Sequence, residues 1–385
     1  MTRSTTVTVP NPDNGSIPPS NWVQLALLVL SLPWLLLQII YRRFRSPGQN
    51  KILFKKDLAL SIIRRSNALP LPLTRFLSQP SAQKILKSPR FCHKNSNLYQ
   101  RVLQHDVAGY WLCKGPPGEP FDPGSCDITV YYLHGGAYVS GHPGTLLLAA
   151  LRISETAGGR GISMSWFGLE YSLAPEAKFP TQVQQAVAGY KYLLDQNIDA
   201  CKIAVLGDSA GGHLALCLIA SLKEAQLPRP GRGVFLESPW IDLLCSKRAT
   251  YERNKYLDFV SLETTLKASK HLLDNDIEEA TAPFTDFTQP LSGSLSWKDV
   301  MPARVWLSVG SHEVLFQEVE EFAKYLEKDG VNVQFTVKEG GVHCWQGMED
   351  VWDMSEYLKT TEIPLREGLL MGTAVVGNAI LSGML

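Results

Sequence analysis

The sequence predicts an α/β fold with a mainly parallel sheet covered by helices on both faces. From residue 128 onward, short β-branched or apolar runs end in glycine-rich or polar turns and alternate with helix-like stretches. Strands separated by helices imply crossover connections, which bury both faces of a sheet. With 385 residues, 45% of them hydrophobic and 19% charged, the chain is large enough for a sizeable core. The predicted strands cover residues 128–133, 162–171, 202–206, 234–237, 305–309 and 331–337.

Charge and cysteine content exclude several classes of protein. The 37 Lys+Arg residues balance 37 Asp+Glu residues, so no overall basic field exists to hold a nucleic-acid backbone. Nucleic acid is therefore not an expected partner. The seven cysteines form no CxxC pair and no regular spacing, so neither a zinc cluster nor a disulfide scaffold is indicated. We interpret them as mostly buried thiols, with a single bridge left open.

An apolar stretch over residues 22–41 predicts a transmembrane anchor. It contains no charged residue and is about as long as a helix that spans a bilayer core. Trp22 and Tyr41 lie at its ends, where interfacial rings are favoured. The basic residues that follow place the rest of the chain in the cytosol by the positive-inside bias. A signal peptide and a hydrophobic helix that docks on the protein itself remain open as alternatives. The nearest basic residues are Arg42, Arg43 and Arg45.

Composition divides the remaining chain. Residues 1–21 are rich in Thr, Pro, Asn and Ser and predict a short disordered tail. Residues 42–110 are expected to form a helical N-terminal or cap segment, and residues 111–385 the α/β domain. A helical cap insertion is expected at about 246–295, where no strand signal is found. Residues 369–385 are apolar but contain several glycines. A core helix and a membrane-touching tail are both open there, and we favour the core helix.

A nucleophile elbow is predicted where Gly207, Asp208, Ser209, Ala210 and Gly211 follow a predicted strand and precede a helix-like run. This strand, sharp turn and helix would expose the hydroxyl of Ser209. The two glycines are expected to permit the tight turn, because a crowded backbone leaves no room for side chains. Asp208 is interpreted as a hydrogen-bonding support of the turn.

A second glycine turn predicts an oxyanion-binding loop. His134, Gly135, Gly136, Ala137 and Tyr138 follow the predicted strand 128–133. Glycines after a strand leave backbone N–H groups free to face a bound oxyanion. We expect Gly135 and Gly136 to donate from this loop. The amide after the nucleophile, that of Ala210, is the further expected donor, and His134 is expected to support the loop.

These motifs together resemble the hormone-sensitive-lipase-like branch of the α/β-hydrolases, which includes fungal steryl-acetate hydrolases and related esterases. The resemblance covers approximately residues 130–345. The family often has a third glycine where this chain has Ala137, and an arginine where it has Ser172. The motifs that carry the resemblance are HGGAY from His134, YSLAPE from Tyr171, GDSAGG from Gly207 and SPWIDL from Ser238.

The resemblance implies a base and an acid for the serine. His343 follows the last predicted strand, where the family carries its catalytic histidine. Glu313 follows the strand 305–309 and occupies the family's acid position, which is aspartate in many members. A glutamate can serve there, because the histidine needs a carboxylate that fixes its tautomer and stabilises the imidazolium. Glu318 and Glu320 remain open as alternative acids.

The expected function is therefore hydrolysis of a carboxylic ester through Ser209, His343 and Glu313, with no metal and no organic cofactor. The membrane anchor favours a small lipophilic ester, such as an acetylated sterol, terpenoid or polyketide. The expected location is a membrane, that of the endoplasmic reticulum, and the sequence gives no oligomeric state. Three alternatives remain open. The same residues could serve an acyltransferase or an amidase. The chain could also be a ligand-binding protein, like the plant gibberellin receptors that resemble the family, or a membrane-tethered structural protein.

Overall fold

The computed structural model describes eight stretches of the chain. They are residues 17–45, 52–104, 106–118, 122–246, 248–273, 282–291, 295–361 and 368–382. Most of the tail predicted at 1–21 lies outside the described residues. Parts of the predicted cap insertion, at 247, 274–281 and 292–294, also lie outside them.

Eight strands form one mainly parallel sheet in the described part of the chain. Their order across the sheet is β1-β2-β4-β3-β5-β6-β7-β8. The pairs β1–β2 and β2–β4 are antiparallel, and all the other pairs are parallel. The predicted α/β architecture is confirmed. The strands are β1 (Leu98–Gln104), β2 (Val107–Cys113), β3 (Ile128–Leu133), β4 (Met164–Leu169), β5 (Ile203–Asp208), β6 (Gly233–Glu237), β7 (Val305–Gly310) and β8 (Val333–Lys338).

The six predicted strands are confirmed as β3 to β8, with small shifts at their ends. The expectation that residues 42–110 are helical is wrong for β1 and the start of β2. Strand β1 is an edge strand in which polar residues interrupt the apolar ones, so it lacks a clean alternation of buried and exposed positions. Its pairing with β2, and not a local pattern, makes it a strand.

Helices cover both faces of the sheet, and alternate residues of a strand pack into two different hydrophobic cores. Tyr131 and Leu133 of β3 pack into the core on one face, while Val130 and Tyr132 pack into the core on the other. The helices are α1 (Pro19–Leu30), α2 (Leu32–Arg45), α3 (Phe54–Ser66), α4 (Leu71–Leu77), α5 (Ala82–Leu86), α6 (Leu147–Gly158), α7 (Thr181–Asp195), α8 (Ala210–Leu222), α9 (Arg248–Asn254), α10 (Leu262–Leu272), α11 (Trp297–Val300), α12 (Phe316–Lys328), α13 (Trp345–Asp350), α14 (Met354–Lys359) and α15 (Met371–Leu381).

The C-terminal apolar segment is a core helix, as favoured from the sequence. Val376 and Ile380 of α15 are buried with residues of α6 in the second core. The carboxylate of Asp350 accepts hydrogen bonds from the amides of Gly372 and Thr373, at 2.9 and 2.7 Å, and so caps the start of α15.

The predicted transmembrane helix over residues 22–41 is not found as one helix. Among the described residues, no single helix is both long and apolar enough to cross a bilayer; α1 and α2 meet that criterion only as a pair, bent by 42°. The break falls at Ser31, just before Pro33. Proline lacks the N–H that a continuous helix would need at this position. Trp22 of α1 packs edge-on against Phe76 of α4, with ring centroids 5.9 Å apart.

An ion pair buried at the end of the N-terminal segment joins three parts of the chain. Arg90 donates to Glu155 of α6, with Nη2 to Oε2 at 2.8 Å, and only 2% of its side chain is exposed. Tyr357 of α14 donates its hydroxyl to the same carboxylate at 2.8 Å. Removing the arginine would therefore leave a largely buried carboxylate without its counter-charge.

We expect Arg90→Met to lower the free energy of unfolding by about 3 kcal/mol, because Glu155 would lose its charge partner in a buried site. The matched control is Arg101→Met. Arg101 pairs with Glu170 at 3.2 Å, but 38% of its side chain is exposed, and such pairs contribute at most about 1 kcal/mol. Urea unfolding of the two variants measures the difference. Equal losses in both variants would contradict the expectation.

Candidate active site

Ser209 lies at a strained turn between β5 and α8. Its backbone has φ 52° and ψ −120°, a conformation that residues other than glycine rarely adopt. Its N–H donates to the carbonyl of Glu237 at 2.9 Å. The flanking glycines permit the close approach that the turn requires. A Cβ on Gly207 would collide with the carbonyl of Gly211, and a Cβ on Gly211 with the carbonyl of Leu133.

The structure brings Ser209, His343 and Glu313 into one hydrogen-bonded chain. Ser209 Oγ lies 2.8 Å from His343 Nε2, and His343 Nδ1 lies 3.1 Å from Glu313 Oε2. A carboxylate only accepts, so Nδ1 carries the hydrogen and Nε2 is free to accept the serine proton. This is the tautomer that a histidine base needs.

Glu313 is completely buried and held in place on its second oxygen. Oε1 accepts from the hydroxyl of Ser238 at 2.6 Å and from the amide of Gly310. The alternative acids do not contact His343: Glu320 pairs with Lys324 at 2.9 Å, and both carboxylate oxygens of Glu318 are buried without a hydrogen-bond partner among the described residues. The geometry thus favours Glu313 as the acid.

Burial and charge act in opposite directions on these two groups. Burial lowers the pKa of His343, but the hydrogen bond and charge of Glu313, with the charges of Asp258 and Asp208, raise it above its ordinary value. Burial raises the pKa of Glu313, and the hydrogen bond from His343 opposes that effect. The site therefore favours the protonated form of the histidine that appears when Ser209 loses its proton.

In the loop after β3, one of the predicted oxyanion donors is already hydrogen-bonded within the protein. The amide of Gly135 donates to Asp208 Oδ1 at 3.1 Å, so it is committed to that carboxylate, and its prediction as an oxyanion donor is wrong for this geometry. Within the described residues, the amides of Gly136, Ala137 and Ala210 find no acceptor. Ala137 has φ 52°, which turns the loop sharply. These three amides are therefore available to a ligand.

Asp208 and His134, predicted as supports, both contact the glycine loop after β3. Asp208 accepts from the hydroxyl of Tyr132 at 2.6 Å as well as from Gly135. The ring of His134 stacks on Tyr171, with centroids 4.1 Å apart, and its Nδ1 lies 2.8 Å from the carbonyl of Gly135. Burial lowers the pKa of His134 to about 3, so this ring is neutral. Asp208 thus ties the glycine loop to the elbow, whereas His134 packs the loop against Tyr171.

Asp258 is a buried site residue that the sequence analysis missed. Its Oδ1 accepts from the amide of His343 at 3.1 Å, and its Oδ2 accepts from the amide of Val314 at 3.0 Å. The carboxylate thus joins the loop of the base to the loop of the acid. On its other side, Arg64 of α3 donates through Nε to the carbonyl of Asp258 at 2.9 Å. No local pattern marks Asp258, which lies in the poorly patterned cap.

Arg75 of α4 is a second residue that the sequence did not reveal. It donates to the carbonyl of Val139 at 2.9 Å and to the carbonyl of Ala174 at 2.8 Å, and it forms a two-pronged ion pair with Glu176. The oxyanion loop and the segment after β4 are therefore fastened to the N-terminal helices. The partners of Arg75 lie up to 101 residues away in sequence. A local sequence pattern cannot predict contacts over such a separation.

A family model described as alpha/beta hydrolase fold matches residues 130–347 of the chain. The chain is 29% identical to an acetyl-hydrolase of Streptomyces hygroscopicus, over 66% of this chain and 84% of the relative. It is 30% identical to an esterase of Acinetobacter venetianus, over 58% and 69%. It is also 27% identical, over 60% and 59%, to a Schizosaccharomyces pombe protein provisionally named a steryl acetyl hydrolase.

Solved structures give the same likeness. An esterase from the bacterial hormone-sensitive lipase family superposes with a TM-score of 0.60 at 25% identity, covering 80% of this chain and 98% of that one. An esterase/lipase from an uncultured bacterium gives a TM-score of 0.61 at 23% identity, covering 86% and 98%, which shows the fold alone.

We expect the His343 ring to titrate above the ordinary histidine value of about 6.5, because the negative charge of Glu313 stabilises its protonated form. In Glu313→Gln the charge is lost, so the pKa of His343 should fall. The ring signals in an NMR titration measure both values, with His343→Gln identifying the signal. An unchanged pKa in Glu313→Gln would contradict this account of the pair.

Asp258→Asn should likewise lower the pKa of His343, and should destabilise the fold by about 1–3 kcal/mol through lost charge-assisted hydrogen bonds. Asp350→Asn is the matched control, since Asp350 is also a buried carboxylate on two backbone amides but caps α15 instead. We expect the control to lose stability with no change in the titration of His343. If both variants leave the titration unchanged, Asp258 has only a structural role.

Proposed function

This chain belongs to the alpha/beta hydrolase fold family, in its hormone-sensitive-lipase-like branch of carboxylic ester hydrolases, and we propose that Ser209, His343 and Glu313 carry out ester hydrolysis in it. The observation that supports this most directly is the unbroken hydrogen-bonded chain from Ser209 Oγ through His343 to the buried carboxylate. A nucleophile within 2.8 Å of a base that is itself oriented by a third group is the arrangement that acyl transfer requires.

Acylation begins when Ser209 Oγ attacks the ester carbonyl carbon while its proton passes to His343 Nε2. The carbonyl oxygen becomes an oxyanion, which the amides of Gly136, Ala137 and Ala210 would bind. In comparable sites, loss of one such donor costs about 100- to 1,000-fold in rate. His343 then gives its proton to the leaving alcohol oxygen as the bond from the carbonyl carbon to that oxygen breaks.

Deacylation repeats these steps with water. His343 removes a proton from the water molecule, whose oxygen attacks the acyl-enzyme carbonyl. Collapse of the second oxyanion releases the carboxylic acid and returns the proton to Ser209. Glu313 stays ionised throughout and stabilises the imidazolium in both halves of the reaction.

The substrate class that we propose is a short-chain ester of a lipophilic alcohol, such as an acetylated sterol, terpenoid or polyketide. The support is the names of the relatives, acetyl-hydrolase and, provisionally, steryl acetyl hydrolase, and the large apolar surface that the N-terminal helices carry beside the cap. The alternative of a ligand-binding protein without catalysis is disfavoured, because all three triad groups are present and in contact.

The test is covalent labelling together with ester hydrolysis. A fluorophosphonate should label Ser209 in the wild type, and the protein should hydrolyse p-nitrophenyl acetate. Ser209→Ala should lose labelling and at least about 10⁴-fold in kcat, since the nucleophile is absent.

Ser221→Ala is the matched control, because Ser221 lies on the same helix α8 and its hydroxyl donates to the carbonyl of Cys217. It should label and turn over like the wild type. Peptide mapping of the label to another serine, or no labelling of folded wild type, would refute the assignment.

A further inference from the structure

The helices α1 and α2 expose a continuous apolar stripe. Within each of the two helices its members are spaced three or four residues apart, so they lie on one side of that helix. Leu30 is 75% exposed and Phe44 is 85% exposed, values that are unusual for side chains of this size in a folded protein. The stripe consists of Leu27, Leu30, Trp34, Leu37, Tyr41 and Phe44.

Several polar groups of this segment contact the neighbouring helix α3. Arg65 of α3 donates to the hydroxyl of Ser31 at 3.1 Å and to the side-chain carbonyl of Gln38 at 2.8 Å. Arg42 and Arg43 both pair with Asp57 of α3, which is almost fully buried. Helix α2 thus buries Leu35 and Ile39 on its inner side and carries further apolar side chains on its exposed side.

The composition of the exposed side indicates a lipid occupant. Between Trp22 and Tyr41 the chain has no charged residue, whereas a second copy packed as a coiled coil would use charged residues beside the apolar seam. Three of the exposed side chains are aromatic, and aromatic rings favour the interface of a bilayer. They are Trp22, Trp34 and Tyr41. Exposed apolar residues continue on the neighbouring α4, at Phe76.

We propose that the exposed side of α1 and α2 is a docking surface for a lipid bilayer, on which both helices lie in the membrane plane without crossing it. At 1.5 Å per residue, helices of 12 and 14 residues are each well short of a bilayer core of about 30 Å. The bonds from Ser31, Gln38 and Arg42 to α3 hold the pair against the catalytic domain. The residues before α1 and the catalytic domain would then lie on the same side of the membrane.

Docking here would place the lipid surface on helices whose neighbours contact the loops of the candidate active site. The helix α3, which holds α2, also holds Asp258 through Arg64, and α4, which packs on α1, holds the oxyanion loop through Arg75. A lipophilic ester would thus reach the site from the membrane. This last consequence rests on the proposed function, whereas the docking itself does not.

The test uses the full chain and vesicles of phosphatidylcholine with 30% phosphatidylserine. The wild type should float with the vesicles. A variant carrying Leu30→Glu, Trp34→Glu and Leu37→Glu should lose at least tenfold in the bound fraction with its thermal unfolding unchanged. The control carries Leu103→Glu and Val337→Glu on the two edge strands, where both side chains are exposed, and it should bind like the wild type. Equal binding by all three proteins would overturn the proposal, as would a wild type that does not float and forms a dimer that the triple variant lacks.

A second experiment separates lying on the membrane from crossing it. The full chain with an N-terminal epitope is synthesised with endoplasmic-reticulum microsomes and treated with protease. In-plane docking predicts that the epitope and the catalytic domain are both digested or both protected. Digestion of one and protection of the other would show that the chain crosses the membrane, and would overturn the proposal.

A third measurement tests whether the ester enters from the membrane. If it does, the triple variant should hydrolyse an acetyl ester dissolved in the vesicles more slowly than the wild type, while its rate on p-nitrophenyl acetate is unchanged. Equal rates on both esters would overturn that entry alone.

Discussion

The buried carboxylate of Glu313 is the charge around which the candidate active site is arranged. A carboxylate without exposure to water is costly unless donors surround it, and here His343, Ser238 and the amide of Gly310 supply them. These donors lie at the end of β7, directly after β6 and in the loop that follows β8. Satisfying one charge therefore fixes the relative positions of the strand ends β6 and β7 and of the loop that carries the base.

The sequence predicted the parts of this arrangement that depend on local backbone chemistry. The glycines around Ser209 and after β3 mark turns in which a larger residue would collide with the neighbouring backbone. Both turns lie where they were expected. The edge strand β1, the commitment of Gly135 to Asp208 and the role of Asp258 could not be read in advance. Gly135 and Asp258 depend on partners that only the fold brings close, 73 and 85 residues away. Strand β1 pairs with the strand that follows it and was missed because its residues lack a clean alternation. The predicted transmembrane helix is not found as one helix for a local reason, because the chain bends at Ser31, just before Pro33.

The cap and the N-terminal helices belong to the catalytic unit and not to a separate module. Asn254, at the end of α9, donates to the carbonyl of Glu313 at 2.6 Å, and His213 joins Tyr138 of the oxyanion loop to the carbonyl of Phe284, with both contacts at 2.7 Å. Because that carbonyl only accepts, His213 Nε2 carries the hydrogen and Nδ1 accepts from the tyrosine. Burial lowers the pKa of His213 to about 4, so this link stays uncharged at neutral pH.

The contacts of Arg75 have a practical consequence for shortening the protein. A chain that begins just before α3 keeps Arg64 and Arg75, and with them the attachments of Asp258 and of the carbonyls at Val139 and Ala174. A chain cut back to β1 would keep every strand of the sheet and all three triad residues, yet it would release the oxyanion loop from its only arginine clamp among the described residues. We therefore expect a shortened chain to need this tether as well as the complete sheet.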